Sequence, residues 1–230
     1  MNKLNRYNTA FGTFTSQIKP SIVMNYLVAT PEDTVPGEHL PMIVCLHGAG
    51  ERGLDRKGIT VHGIPSMLDK GLPVRAIILA PQVPDISHVW NNLADETFEL
   101  IQLAAKEYSA DLDRISITGL SMGGYGTWEL GIMHSEYFSA MAPIAGGGMP
   151  WRAGLLGNIP VRTWHGEDDD VVPIGSTQQM VDALRAAGGT AEFEALAGVK
   201  HDSWTYAYTR TDVIEWLVAQ RRSNRTPSAT

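Results

Sequence analysis

The chain has 230 residues, of which 43% are hydrophobic, and its formal net charge is −7 at pH 7. This length and hydrophobic content suit one domain with one substantial core, and the negative charge disfavours nucleic acid as a partner. The sequence has no apolar run long enough to predict a membrane span, and no apolar signal segment near Met1. The single cysteine, Cys45, excludes a disulfide within the chain, so a cytoplasmic location is expected.

Short runs rich in Ile and Val alternate with helical patterns along the chain, which predicts an α/β fold with a mostly parallel sheet and helices on both faces. One domain is predicted over residues 1–222, and the polar tail 223–230 is expected to be frayed. The predicted strands are residues 22–29, 41–46, 75–80, 114–119, 138–145, 160–165 and 191–197. The predicted helices are residues 64–70, 93–109, 122–134, 175–187 and 203–221.

A serine lies at the junction between one of these strands and the helix that follows it. Ser121 is the centre of a G-x-S-x-G pattern that begins at Gly119 and ends at Gly123. A sharp turn from strand to helix can present a serine hydroxyl at its apex only if the neighbouring residues are small. The pattern also occurs by chance, but its place between a strand and a helix predicts that Ser121 is a nucleophile.

The apolar strand 41–46 is followed by His47-Gly48-Ala49-Gly50, where small residues leave backbone N–H groups accessible. Such groups can stabilise the oxyanion that forms when a nucleophile attacks a carbonyl carbon. We expect one donor to be the N–H of Met122, the residue after the serine, and the other to be the N–H of Ala49, with Gly50 as the alternative.

An acidic turn follows the strand 160–165 and contains three adjacent aspartates. The spacing His-Gly-x-x-Asp before Val-Val-Pro favours Asp169 as a catalytic acid, with Asp170 second and Asp168 third. The run of carboxylates lacks the alternating pattern of an EF-hand loop, so a calcium site is not expected.

Of the seven histidines, only His201 follows the acidic turn. The resulting chain order Ser121, Asp169, His201 is that of the α/β-hydrolase fold and differs from the orders of chymotrypsin and subtilisin. His201 is therefore the predicted base. His47 and His165 each precede a glycine at a strand end, and we expect them to hold loop backbone in place.

The segment 146–159 between two predicted strands is too short for a multi-helix lid, so an open site without a large cap domain is expected. Residues in loops at strand ends that could line the site are Gly50, Trp90, Met149, Trp151 and Trp204. Glu51 and Arg52 follow the expected oxyanion loop, and an ion pair that braces this loop is favoured over steering of a polar substrate.

Several segments together resemble a known group of enzymes, and they are Leu46 to Gly53, Ala80-Pro81-Gln82, Asp113-Arg114-Ile115, Gly119 to Trp128, His165-Gly166 with Asp169 and Val172-Pro173, and His201. On these segments the chain resembles α/β-hydrolases of the esterase group that includes compact "predicted peptidase" and feruloyl- or polyhydroxybutyrate-type esterase families. Asp170 departs from this pattern, because relatives often have proline there.

The expected activity is hydrolysis of short acyl or aryl esters through an acyl-enzyme, with a small-molecule ester as partner and neither a metal nor an organic cofactor. A serine peptidase of the same fold is the alternative. A non-catalytic binding protein with this fold is a third reading, although such a protein is expected to lack one member of the Ser-His-Asp set.

Overall fold

The computed structural model describes residues 4–224. Its strands are β1 Tyr7–Thr15, β2 Val23–Pro31, β3 Met42–Leu46, β4 Ile77–Gln82, β5 Ile115–Leu120, β6 Met141–Ile144, β7 Val161–Gly166 and β8 Ala191–Leu196. Its α-helices are α1 Ala94–Glu107, α2 Met122–Met133, α3 Gly175–Ala186, α4 Trp204–Arg210 and α5 Val213–Ala219. Short 3₁₀ helices include Ala49–Glu51, Ile64–Lys70 and Pro150–Leu156.

The eight strands form one sheet in the order β1-β2-β4-β3-β5-β6-β7-β8. Strand β2 pairs antiparallel with β1 and β4, and the neighbours from β4 to β8 are parallel. The mostly parallel sheet predicted from the sequence is therefore confirmed. Because parallel strands end at the same edge, the loops after β3, β5, β7 and β8 all open on one rim of the sheet.

Helices cover both faces of this sheet. One buried cluster contains Leu100 of α1, Trp128 of α2 and Leu184 of α3, and the other contains Tyr208 of α4 and Leu217 of α5. Strand β3 is buried at all five positions, as expected for a central parallel strand with a layer on each side. This two-sided packing makes the sheet a rigid support for the loops on its rim.

Several parts of the fold differ from the prediction, and the helix predicted over residues 64–70 is a 3₁₀ helix. Strand β1 was not predicted, because it is an edge strand with many exposed positions and small or polar residues, and it pairs only with β2. The predicted helix 203–221 is broken at Thr211, whose backbone is extended. The Thr211 hydroxyl donates to the carbonyl of Ala207 and accepts from the N–H of Val213, so it ends α4 and begins α5.

The sequence predicts a frayed tail from residue 223, but Ser223 is held by hydrogen bonds. The hydroxyl and N–H of Ser223 both donate to the carboxylate of Asp113, at 2.6 and 2.8 Å. The rest of the tail, residues 225–230, lies outside the described residues. Between residues 4 and 224 there is no helix whose length and apolar character would let it cross a membrane. In the same range, the connection from β6 to β7 contains a single 3₁₀ helix and no cap domain.

Candidate active site

Ser121 lies at the turn between β5 and α2, with φ 54° and ψ −118°. A left-handed backbone is costly for a residue with a side chain, and it is retained only where the surroundings hold it in place. Here the N–H of Ser121 donates to the carbonyl of Ile144 at the end of β6. A side chain at Gly123 would come within 2.0 Å of the Leu46 carbonyl oxygen, so only glycine lets α2 begin this close to β3. The turn therefore presents the serine hydroxyl beside the loop that follows β3.

The structure brings Ser121, His201 and Asp169 together at the rim. The Oγ of Ser121 is 2.9 Å from Nε2 of His201, and Nδ1 of His201 is 2.8 Å from Oδ2 of Asp169. The loop that carries His201 packs directly on the end of β7. A Cβ at Gly166 would be 2.1 and 2.2 Å from the carbonyl oxygens of Val199 and Lys200, so only glycine permits this close approach. These contacts place a hydroxyl, an imidazole and a carboxylate in one hydrogen-bonded row.

Of the three aspartates in the acidic turn, only Asp169 contacts His201. Its Oδ1 accepts hydrogen bonds from the N–H groups of Val171 and Val172, both at 2.9 Å. Burial raises the pKa of Asp169, but the hydrogen bonds from His201 and from these two N–H groups outweigh it, so the pKa lies below its ordinary value. The carboxylate of Asp170 points elsewhere and pairs with exposed Lys200 at 3.0 Å.

A second histidine, which the sequence indicated only as a loop anchor, also reaches Asp169. Nε2 of buried His165 is 3.0 Å from Oδ2 of Asp169 and 2.8 Å from the carbonyl oxygen of Val172. Its Nδ1 is 2.7 Å from the hydroxyl oxygen of Thr177 in α3. His165 therefore holds loop backbone, as predicted, and its ring also contacts the carboxylate that faces His201.

The expected oxyanion donors lie at two helix starts. Ala49 begins the 3₁₀ helix after β3, and Met122 begins α2, so neither N–H is used inside its own helix. His47 holds the start of this loop, since its Nδ1 donates to the carbonyl of Gly48 and its Nε2 accepts from the N–H of Val83. The prediction that His47 anchors backbone is confirmed. The role of the two N–H groups stays a prediction.

The expectation that Trp90 lines the site is wrong. Its side chain is completely buried, and its Nε1 donates to the carbonyl of His47 at 2.9 Å. Trp90 therefore supports the loop after β3 from behind. The sequence places Trp90 in a loop at a strand end but does not show which way its side chain points. The side chain points into the core and packs against α2, so closely that a Cβ at Gly126 would collide with it.

The other residues expected to line the site differ in their exposure to solvent. Gly50 is exposed in the loop after β3, and Met149 and Trp151 are exposed in the connection from β6 to β7, with Trp151 81% exposed. Trp204 is mostly buried and packs its ring edge-to-face with that of His201, at 5.1 Å between centroids. Their contact with substrate stays a prediction.

The predicted ion pair between Glu51 and Arg52 is also wrong. Within residues 4–224 no salt bridge joins the two side chains. Arg52 instead donates to three backbone carbonyls, those of Ala49, Ile86 and His88. It thus braces the loop by itself, because its guanidinium N–H groups are donors that backbone carbonyl oxygens can accept.

Neither at this rim nor elsewhere in residues 4–224 are three or more His, Cys, Asp or Glu side chains arranged so that they could hold a metal ion. In the acidic turn, the buried carboxylate of Asp169 already accepts hydrogen bonds from His201 and from two backbone N–H groups. The site is thus an assembly of side-chain and backbone hydrogen-bonding groups.

Comparisons with known proteins agree with this picture of the fold. A thermostable esterase of known structure is 32% identical and superposes with a TM-score of 0.81 over 93% of this chain. The chain spans only 63% of that esterase. A ferulic acid esterase is 19% identical, with a TM-score of 0.73 over 94% of this chain and 99% of its own. An S-formylglutathione hydrolase from Agrobacterium tumefaciens is 14% identical, with a TM-score of 0.72 over 96% of this chain and 98% of its own.

No curated protein matches the sequence at a significant level. The model of the dienelactone hydrolase family matches residues 83–212, which is more than half of the chain and includes Ser121, Asp169 and His201. The structural neighbours share the α/β-hydrolase fold that the sequence predicted. The chain belongs to the dienelactone hydrolase family.

Proposed function

We propose that this protein is a serine hydrolase that cleaves short acyl or aryl carboxylic esters through an acyl-enzyme. The observation that carries the proposal is the continuous contact from Ser121 through His201 to Asp169, with 2.9 and 2.8 Å at its two steps. Family membership and esterase neighbours support ester hydrolysis as the reaction class.

In this mechanism the Oγ of Ser121 attacks the ester carbonyl carbon while Nε2 of His201 takes the hydroxyl proton. The N–H groups of Ala49 and Met122 stabilise the oxyanion of the tetrahedral intermediate. The intermediate collapses as His201 gives its proton to the leaving alcohol. Water then attacks the acyl-enzyme by the same route and releases the acid. Asp169 keeps the proton of neutral His201 on Nδ1 and stabilises the imidazolium that forms.

The preference for short or solvent-extended esters rests on the shape of the rim. A cap domain would cover a long acyl chain, and the connection from β6 to β7 holds only the 3₁₀ helix Pro150–Leu156. Trp151 and Met149 of this connection are exposed and available for contact with an aryl or acyl group.

A serine peptidase of the same fold is the second candidate, because an acyl-enzyme also forms from an amide. Ester hydrolysis is favoured because the described chain lacks a domain that would confine a peptide. A non-catalytic binding protein is disfavoured, since all three side chains are present and in contact.

The test is a panel of p-nitrophenyl esters of increasing acyl length beside a panel of peptide amides. We expect turnover of the shorter esters and much slower cleavage of the peptides. Ser121→Ala should lower kcat by about 10⁴-fold or more while the circular dichroism spectrum stays the same. Ser66→Ala, at an exposed serine, is the matched control and should keep wild-type rates. Ester turnover by Ser121→Ala near the wild-type rate would refute the proposal.

A further inference from the structure

Glu51 is a buried carboxylate beside the proposed oxyanion loop. It ends the 3₁₀ helix that Ala49 begins, its side chain is 9% exposed, and its own carbonyl accepts a hydrogen bond from Gln82. A Cβ at Gly48 would be only 3.0 Å from Oε2 of Glu51, which shows that this oxygen lies close to the backbone of the loop. The main chain of Glu51 is thus held by a hydrogen bond, and its buried side chain lies next to the loop.

No protein group between residues 4 and 224 donates a hydrogen bond to this carboxylate, and Oε2 is buried without a partner. Nδ1 of His47 is 3.9 Å from Oε2, but its proton is donated to the carbonyl of Gly48. Burial also lowers the pKa of His47 to about 4, so its ring is neutral at pH 7 and cannot balance the charge. Arg52 is engaged with backbone carbonyls.

The side chains of His62 and Trp204 connect Glu51 to the proposed base, His201, through successive contacts. Glu51, His62 and Trp204 are called the wall below. Nε2 of His62 is 3.6 Å from Oε1 of Glu51, which is beyond hydrogen-bonding distance, and its side chain is half exposed. The ring of Trp204 packs edge-on against both His62 and His201. Its Nε1 is buried and has no acceptor among the described residues. The wall therefore runs from the oxyanion loop to His201, the two groups between which a reacting carbonyl must lie.

Unpaired polar groups in such a wall are costly. A buried carboxylate that accepts no hydrogen bond loses its hydration, and the imidazoles of His47 and His62 lie beyond hydrogen-bonding distance of it. Such a loss is tolerated where a ligand supplies the missing partner. A cation suits this site best, because a neutral hydroxyl would leave the negative charge unbalanced.

We propose that Glu51, flanked by His62 and Trp204, is a specificity site that binds an ammonium group on the substrate. The inference rests on the proposed ester hydrolysis and names its preferred substrates as esters that carry a positively charged amine near the scissile carbonyl. The amine can be on either side of the ester bond.

The experiment compares kcat/KM for two pairs of esters that have the same shape and differ in charge. One pair is dimethylaminopropyl butyrate and isohexyl butyrate, with the amine on the alcohol side. The other is ethyl dimethylaminobutyrate and ethyl isoheptanoate, with the amine on the acyl side. Hydroxypentyl butyrate tests a neutral donor. We expect at least one ammonium ester to be preferred over its neutral partner by about tenfold or more.

Glu51→Gln keeps the size and one acceptor oxygen but removes the charge, so the preference for the ammonium ester should fall to about one. If Glu51 only braced the loop, both members of a pair would slow together and their ratio would not change. Glu167→Gln removes one exposed carboxylate from the acidic turn and controls for general attraction of cations; the wild-type ratio should persist.

Four results would overturn the inference. Equal efficiency within both pairs in the wild-type protein, or a ratio that Glu51→Gln leaves unchanged, would exclude the ammonium site while leaving ester hydrolysis intact. A preference for the hydroxypentyl ester over both ammonium esters would assign the site to a neutral donor instead. Absence of hydrolysis of every ester would refute the proposed function, and the specificity site with it.

Discussion

Nε2 of His165 lies 3.0 Å from Oδ2 of Asp169, so the carboxylate that faces His201 has a second imidazole behind it. Both side chains are completely buried. The carboxylate is thus hydrogen-bonded to His201 and to two backbone N–H groups and has the His165 ring packed behind it, which leaves it little freedom to turn away from His201. This arrangement provides the rigid support that a proton-transfer site requires.

His165→Ala should lower both stability and activity. The change empties a buried space and leaves the carbonyl of Val172 and the hydroxyl of Thr177 without their ring partners. We expect the free energy of unfolding to fall by about 2 to 4 kcal/mol, measured by urea denaturation. We also expect kcat to fall, but less than in His201→Ala. Unchanged stability would contradict the assigned packing role.

Asp169→Asn and Asp170→Asn form a matched pair, because both replace an aspartate of the same turn by its amide. Asp169→Asn removes the charge that faces His201 and should lower kcat for a p-nitrophenyl ester by about 10³- to 10⁴-fold. Asp170→Asn removes only an exposed pair with Lys200 and should change kcat by less than about twofold. The reverse ranking would assign the acid to Asp170.

The lowered pKa of Asp169 predicts a dependence of stability on pH. Its carboxylate is favoured in the folded state, so its contribution is complete above the ordinary aspartate pKa of 3.8 and is lost as the pH falls through the lower folded value. The difference in unfolding free energy between the wild type and Asp169→Asn should therefore shrink towards acid pH. Urea denaturation across the acid range measures it. A difference that grows on acidification would be inconsistent with the pKa shift.

Gly166→Ala should displace the loop that carries His201. The added methyl group would meet the carbonyl oxygens of Val199 and Lys200, which are backbone atoms that cannot rotate away. We expect the variant to lose about 2 kcal/mol or more of stability and most of its esterase activity. Gly175→Ala at the start of α3 is the control, since no atom lies within 4 Å of its Cβ. If both variants behave like the wild type, the loop does not need this close approach.

Trp90→Phe tests whether Trp90 supports the loop after β3 rather than lining the site. The change removes the hydrogen bond to the His47 carbonyl and keeps most of the buried ring. Stability should fall by about 1 to 3 kcal/mol because a buried carbonyl loses its donor. The effect on ester hydrolysis should appear in kcat, through the loop after β3. A change confined to KM and dependent on acyl length would return Trp90 to the substrate-binding surface.

Local patterns with a physical meaning predicted much of the site from the sequence. The glycines around Ser121 are needed for close packing of backbone, so the turn could be recognised from residues next to one another. His201 was selected by chain order, which the topology of the sheet converts into a common rim. Buried strands such as β3 were predicted because two-sided burial requires continuous apolar residues.

The parts that sequence reasoning missed depend on the direction of side chains and on competition among partners. A loop position could not tell that Trp90 turns inward. Adjacent opposite charges suggested a pair at Glu51 and Arg52, yet three carbonyl oxygens compete for the guanidinium group. The contact of His165 with Asp169 depends on the direction of both side chains, although their spacing of four residues was a signal that could have suggested it.

The most direct test of the central claim is covalent labelling with a fluorophosphonate, followed by intact mass measurement and peptide mapping. We expect one label per chain, located on Ser121, absent in Ser121→Ala and formed much more slowly in His201→Ala. A protein that takes up no label, or is labelled equally well when Ser121 is alanine, would contradict it.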